Sequence, residues 1–235
     1  MLYGDISSYS WWGDEVTPKQ FKEDLDALGD ITQLNIYINS GGGDVFAGQA
    51  IHSMLKRHSA TKTVYVDGLA ASIASVIAMA GDKIIMPTNA MMMIHKCWTI
   101  ALGNADDMRK MADDMDKIDE SIVAAYVGKT GLDKEDIIDL MTEETWMTAE
   151  DAMSYGFIDE IEESKQVAAS VRKGILTING QEMDLSRFQN PPEFPAAKKP
   201  ARARAEPVPD PEPEPEPKDD ALSIAKAKLM LELEL

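Results

Sequence analysis

Two apolar-rich runs frame the first half of the chain. Leu34 to Asn39 reads Leu-Asn-Ile-Tyr-Ile-Asn and Lys62 to Asp67 reads Lys-Thr-Val-Tyr-Val-Asp; β-branched and aromatic residues of this kind predict strands. Lys83 to Met86 and Ala90 to His95 predict two more, split by a Pro87-Thr88-Asn89 turn, and residues 2 to 6 predict a short one. Between these runs the period changes. Phe21, Leu25 and Leu28 recur at helical spacing behind Thr17 as cap and Pro18 as first helical residue, and Gly29-Asp30 ends that helix. A second helix follows Asp44, with Val45, Ile51, Met54 and Leu55 on its buried face. From Gly68 to Gly81 the residues become small and apolar, a run long enough for a short helix. Ser72 therefore falls where a buried strand turns into a buried helix.

Asn104 to Val127 predicts a long helix whose stripe of Met108, Met111, Met115, Ile118 and Ile122 packs on the body or on a neighbouring subunit. Gly131-Leu132-Asp133 separates it from a helix over Lys134 to Thr142. A short helix follows over Thr148 to Tyr155, with Thr148 as cap and Asp151 three residues on. Gly156 to Asp159 leads into a last strand. Strands alternating with helices imply βαβ units and an α/β fold with a largely parallel sheet. Beyond about residue 165 the pattern breaks. Residues 166–190 form a small extension, with a hairpin around Asn179-Gly180. Residues 191–220, which include Asp210-Pro-Glu-Pro-Glu-Pro-Glu-Pro217, are too rich in proline and charge to pack a core and predict a disordered or polyproline-II linker. Residues 221–235 turn apolar again; Leu222, Ala225, Leu229 and Leu233 fit a helix, while the last residues alternate like a strand.

Composition narrows the function classes. The chain has 235 residues, 44% hydrophobic, with a net charge of −18, which disfavours nucleic acid and anionic membrane surfaces as main partners. One cysteine, Cys97, allows no internal disulfide and reads as a buried thiol; with three histidines it makes a structural zinc site improbable. No signal peptide or membrane span is expected, which points to a cytoplasmic protein.

Three features carry chemistry. The Gly41-Gly42-Gly43 loop after a strand suits either phosphate or an oxyanion, but it lacks the Gly-Lys-Ser/Thr ending of a P-loop. Ser72, at a strand-to-helix turn among small neighbours, suits a nucleophile or simply close packing. His95, ending the Met91-Met92-Met93-Ile94 run, suits a base or a satisfied edge residue. Acyl transfer needs a nucleophile, a base and a group that orients the base, here in the chain order Ser, His, acid.

Ile38-Asn39-Ser40-Gly41-Gly42-Gly43, Gly68-Leu69-Ala70-Ala71-Ser72, Met93-Ile94-His95, and Thr148-Ala149-Glu150 with Tyr155-Gly156-Phe157-Ile158-Asp159 together resemble the Clp protease proteolytic subunit (ClpP) family, in family order and over about residues 1–165. The resemblance implies a ClpP/crotonase-like α/β fold of repeated ββα units with the long helix as a projecting handle. It implies Ser72 as nucleophile rather than Ser75, His95 as base, and the N–H groups of Gly43 and Ile73 as oxyanion donors. The register of Glu144-Thr145-Trp146-Met147-Thr148-Ala149 implies Glu144 as the acid, where the family has Asp, with Glu143 as runner-up. Peptide is expected along Gly41, Gly42, Asp44 and Val45. No metal or cofactor is implied.

The departures, Gly41 for a proline and Lys96-Cys97 after the histidine, together with Trp11 to Pro18, resemble the ClpP-type head-maturation proteases of tailed phages and prophages. That subgroup implies an ATP-independent endopeptidase acting on scaffold, capsid or portal proteins in the host cytoplasm or inside the prohead, and a C-terminal extension related to capsid scaffolding, which the acidic linker and the scaffold-like segment 221–235 fit. The family implies a homo-oligomeric ring, heptameric or tetradecameric. The alternatives are a degradative subunit working with an ATPase and a non-proteolytic scaffolding protein on the same fold.

Overall fold

A computed structural model of the chain describes residues 1–10, 13–163, 169–172, 174–178 and 181–192. The chain divides into one compact unit, Met1–Ala197, and a second, Lys198–Leu235. The linker and terminal segment, Trp11-Trp12 and the Asn179-Gly180 turn lie outside the described residues.

The first unit is built on a largely parallel sheet. Strands β1 (Leu2–Tyr3), β2 (Gln33–Ser40), β3 (Thr61–Ala71), β4 (Lys83–Pro87) and β7 (Glu160–Glu162) follow one another in the order β1-β2-β3-β4-β7. Strand β5 (Met91–Ile94) pairs parallel with β3, and β6 (Thr145–Met147) pairs antiparallel with β5. The long strand β3 serves two neighbours: Thr63–Tyr65 pairs with β4, and Leu69–Ala71 pairs with β5. This pairing carries the strand through Ala71, beyond the Lys62 to Asp67 run that predicted it, and puts the strand-to-helix turn at Ser72, as expected. Helix α3 is accordingly short, Ile73–Ala78, and buried throughout.

Helices α1 (Pro18–Ala27) and α2 (Val45–Arg57) form where expected; the Thr17 side chain accepts from Gln20 N–H and the Asp44 side chain from Ala47 N–H. On α2, Ile51 and Leu55 are fully buried, while Val45 and Met54 are half-buried. Helix α4 (Ala105–Thr130) has 26 residues, a length of about 39 Å at 1.5 Å per residue. A capping box between Asn104 and Asp107 starts it, and Gly131 at φ 73° ends it. Its stripe is graded: Met108 and Met111 are exposed, Met115 and Ile118 half-buried, and Ile122 buried. Helices α5 (Lys134–Thr142) and α6 (Ala149–Ser154) complete the set, α6 with the Thr148–Asp151 capping box.

Downstream of β7, strands β8 (Ala169–Arg172), β9 (Ile175–Ile178) and β10 (Gln181–Asp184) form an antiparallel sheet in the order β10-β9-β8. The predicted hairpin is therefore its β9–β10 half, with Ile178 paired to Gln181, and β8 is an addition. Leu176, Ile178, Met183, Leu185 and Phe188 share one apolar cluster with Leu69, Ala71 and Met93 of the main sheet. Ala70, between them, belongs to the helix-side core. Alternate residues of the end of β3 thus meet α2 and α3 on one face and the small sheet on the other. That explains why the strand reads as continuously apolar there instead of alternating.

Gly48 on α2 lies so close to α3 that an added Cβ would collide with Ile73 Cγ1. Gly48→Val is expected to cost about 1–3 kcal/mol through overpacking, measured by chemical denaturation; an unchanged midpoint would contradict this close contact.

Candidate active site

Ser72 sits between β3 and α3 at φ 54° and ψ −130°, one of two non-glycine residues with positive φ among those described. Its N–H donates to Met93 O at 2.9 Å, and its carbonyl accepts from Ser75 N–H at 3.0 Å and Ser75 Oγ–H at 2.5 Å. These bonds hold a backbone conformation that L-residues rarely adopt, and the sharp turn lifts the hydroxyl out of the sheet. Ser72 Oγ lies 2.8 Å from His95 Nε2. Ser75, by contrast, is fully buried against Tyr126 Oη at 2.8 Å and has no access to the cleft.

His95 follows β5 with its side chain only 10% exposed. Burial lowers its pKa below the usual imidazole value of 6.5; Arg187 pushes the same way, while Glu144 and Asp119 oppose. The site therefore favours a neutral ring. His95 Nδ1 lies 3.8 Å from Glu144 Oε2, within ion-pair range and beyond hydrogen-bond distance. Glu144 is the other positive-φ residue, at φ 51°, and is buried, whereas Glu143 is exposed. The carboxylate accepts from Asn190 N–H at 2.7 Å on Oε1, from Gln189 N–H at 2.9 Å on Oε2, and from Trp146 Nε1–H at 3.4 Å.

The glycine loop lies against the serine. An added Cβ at Gly42 would stand 2.7 Å from Ser72 Cβ, so only glycine permits the approach. Ile6 bridges the loop in parallel: its N–H donates to Gly42 O at 2.9 Å and its carbonyl accepts from Asp44 N–H at 2.8 Å. In such a bridge the central residue, Gly43, turns its own N–H and C=O away from Ile6. Gly43 lines the cleft beside Ser72. Ile73 opens α3, so its N–H has no intrahelical acceptor. The Asp44 side chain is taken up by the cap of α2 and by Ser8 Oγ–H at 2.5 Å. One side of the Gly41 to Val45 stretch is thus already paired, and any peptide would use the other.

The cleft, about 180 Å³, is also lined by Val45, Cys97, Arg187 and Phe188. Cys97 is half-buried rather than buried, and burial together with Asp119 pushes its thiol up to about 12, which keeps it protonated and unreactive. Sequence reasoning missed the contribution of residues 187–190. Only Phe188, an aromatic in a polar stretch, hinted at a buried contact.

The family model for Clp protease matches residues 21–165. The chain belongs to the Clp protease family, whose members are serine peptidases. The proteolytic subunit of the ATP-dependent Clp protease from Deinococcus radiodurans is 33% identical over 140 residues, covering 58% of this chain and 68% of the relative. The corresponding subunit from Bacteroides fragilis is 32% identical over 140 residues, covering 58% and 67%. This Clp-family chain therefore spans about two thirds of the length of those curated relatives, and its residues after 165 lie outside the matched region.

Replacing Ser72 by alanine or by glycine removes the same hydroxyl, but only glycine relieves the positive φ. Ser72→Gly is expected to be more stable than Ser72→Ala by about 1 kcal/mol, net of the chain entropy that glycine adds. Equal denaturation midpoints would show that the turn carries no strain.

Proposed function

We propose that this chain is a serine endopeptidase in which Ser72 is the nucleophile, His95 the general base and Glu144 the orienting acid. The observation that carries the reading is the 2.8 Å contact between Ser72 Oγ and His95 Nε2 at a strained strand-to-helix turn. With Nδ1–H turned toward Glu144, Nε2 accepts the serine proton as Oγ attacks the peptide carbonyl carbon. The carbonyl oxygen gains the negative charge and sits between the N–H groups of Gly43 and Ile73; losing one such donor costs roughly 10²–10³ in rate. The imidazolium returns the proton to the leaving amine, the C–N bond breaks, and an ester to Ser72 is left. Water, deprotonated by His95, attacks the ester and frees the new carboxyl end and Ser72.

We further propose that the substrates are scaffold, capsid or portal proteins in phage head assembly, and that no ATPase is required. The departures at Gly41 and Lys96-Cys97 and the acidic proline-rich tail support this. A homo-oligomeric ring is supported by the exposed Met108 and Met111 on α4, a stripe without cover in the single chain. A degradative subunit working with an ATPase is the second reading, favoured by the relatives, which are proteolytic subunits of the ATP-dependent Clp protease.

Intact mass of the full chain over time, wild type beside Ser72→Ala and with and without capsid protein, separates these readings. The maturation reading expects loss of the tail or trimming of capsid protein by wild type alone. Cleavage of unfolded casein only when an ATPase is present would favour the second. Because burial holds the His95 imidazole below 6.5, the base stays neutral into mildly acidic solution. The acid-side half-maximum of kcat/KM is therefore expected below pH 6.5; a half-maximum above pH 7 would remove His95 as the base.

A further inference from the structure

The 3₁₀ turn Leu185–Arg187 and the residues after it, up to Asn190, form a strap across the acid side of the site. Leu185 and Phe188 are anchored in the apolar cluster with Leu69, Ala71 and Met93. The Phe188 ring stands edge-on to Trp146 at 5.3 Å and tilted beside His95 at 6.0 Å. The next two backbone N–H groups, of Gln189 and Asn190, each take one oxygen of the Glu144 carboxylate, and Asn190 Nδ2–H donates to Glu143 O at 3.0 Å.

We propose that this strap is a working part of the catalytic centre, with Gln189 and Asn190 positioning the Glu144 carboxylate through their N–H groups and Phe188 closing the His95 ring off from water. The proposal rests on the Ser72–His95–Glu144 reading. Glutamate has one more rotatable bond than aspartate, so a carboxylate that must face Nδ1 needs more restraint. Here both oxygens are pinned from outside. Each carboxylate oxygen has two lone pairs, so Oε2 can hold Gln189 N–H and still offer a lone pair to His95. Because Glu144 is buried, these charge-assisted bonds are worth more than exposed ones. Both backbone donors and the Phe188 ring come from residues after 165, beyond the family match. The protease domain is therefore incomplete without its extension.

Gln189 is exposed, so its contribution is its N–H. Gln189→Ala keeps that donor and Gln189→Pro deletes it. Phe188 at φ −106° and ψ 150° already has the extended backbone that a following proline requires. The readout is the rate at which a fluorophosphonate labels Ser72 in the full chain, measured against pH and beside the melting temperature. Gln189→Pro is expected to label roughly 10–100-fold more slowly than Gln189→Ala, which keeps the donor; that is the scale of a hydrogen bond to a charged group.

Phe188→Ala admits water to His95, which restores imidazolium and moves the acid limb of the rate to higher pH. Phe188→Leu is expected to bring it part of the way back. The charged groups that face the ring, Glu144, Asp119 on α4 and Arg187 on the strap, keep their charges in both variants, although Phe188→Ala removes the ring that lies under the Arg187 guanidinium at 5.4 Å. A folded Gln189→Pro that labels at the wild-type rate overturns the proposal. So does an acid limb that stays in place in Phe188→Ala, and so do losses that only track the folded fraction. Wild type that does not label at all sinks the serine-peptidase reading itself, a result distinct from a labelled wild type with indifferent strap variants.

Discussion

The position of Ser72 depends on a backbone conformation that costs of order 1–3 kcal/mol to hold, and the surrounding structure is arranged to hold it. Met93 O fixes the N–H from the neighbouring strand, and Ser75 satisfies the carbonyl twice. Ser75 is itself locked by Tyr126 on α4, so the long helix is tied to the Ser72 turn through two side chains. Gly42 lies on Ser72 Cβ from the other side, and Gly48 lets α2 close on Ile73. The close approaches to the Ser72 turn thus come from glycines of two other elements, the Gly41 to Gly43 loop and α2.

Covering both faces of β3 has an electrostatic consequence. Helices cover one face and the small antiparallel sheet the other, so the end of β3 and the start of the cleft are dry. A dry setting disfavours charged imidazole, which keeps a base available, and it strengthens the hold of a buried carboxylate on its donors. Cys97 answers to the same surroundings in the opposite way: its thiol is pushed up and cannot compete as a nucleophile. The setting that favours a neutral His95 ring thus also keeps the nearest thiol protonated.

The parts of this arrangement that were legible in the sequence are those in which a side chain carries the signal. Strands β2 and β3 follow from their β-branched residues, α1 and α4 from caps and stripes, and Ser72 and His95 from their places at the ends of apolar runs. Glu144 was reachable only through the register of Thr148-Ala149, because one buried glutamate beside an exposed one leaves no trace in composition. The extent of β3 was misjudged because small residues fit a helix and a strand buried on both faces equally well. Of the strap, only the aromatic Phe188 left a trace in the sequence. The strap's polar contacts with Glu144 are backbone N–H groups, which any residue but proline supplies, and they act across 45 and 46 positions.

Glu144 and the strap account for each other. In the family pattern the acid is Asp; in this chain the extra methylene carries the carboxylate about one C–C bond, roughly 1.5 Å, farther from the backbone. That reach brings it to the N–H groups of Gln189 and Asn190, and its positive φ of 51° fixes the direction in which it leaves the chain. Without those donors the buried carboxylate would keep only the long 3.4 Å contact from Trp146 Nε1–H, a shortfall that a native structure rarely tolerates. With them, Oε2 lies 3.8 Å from His95 Nδ1, so a small shift of the ring when a peptide enters the cleft would close the hydrogen bond. On the proposed reading of Glu144 as the acid, its longer side chain and the N–H donors of Gln189 and Asn190 thus depend on each other.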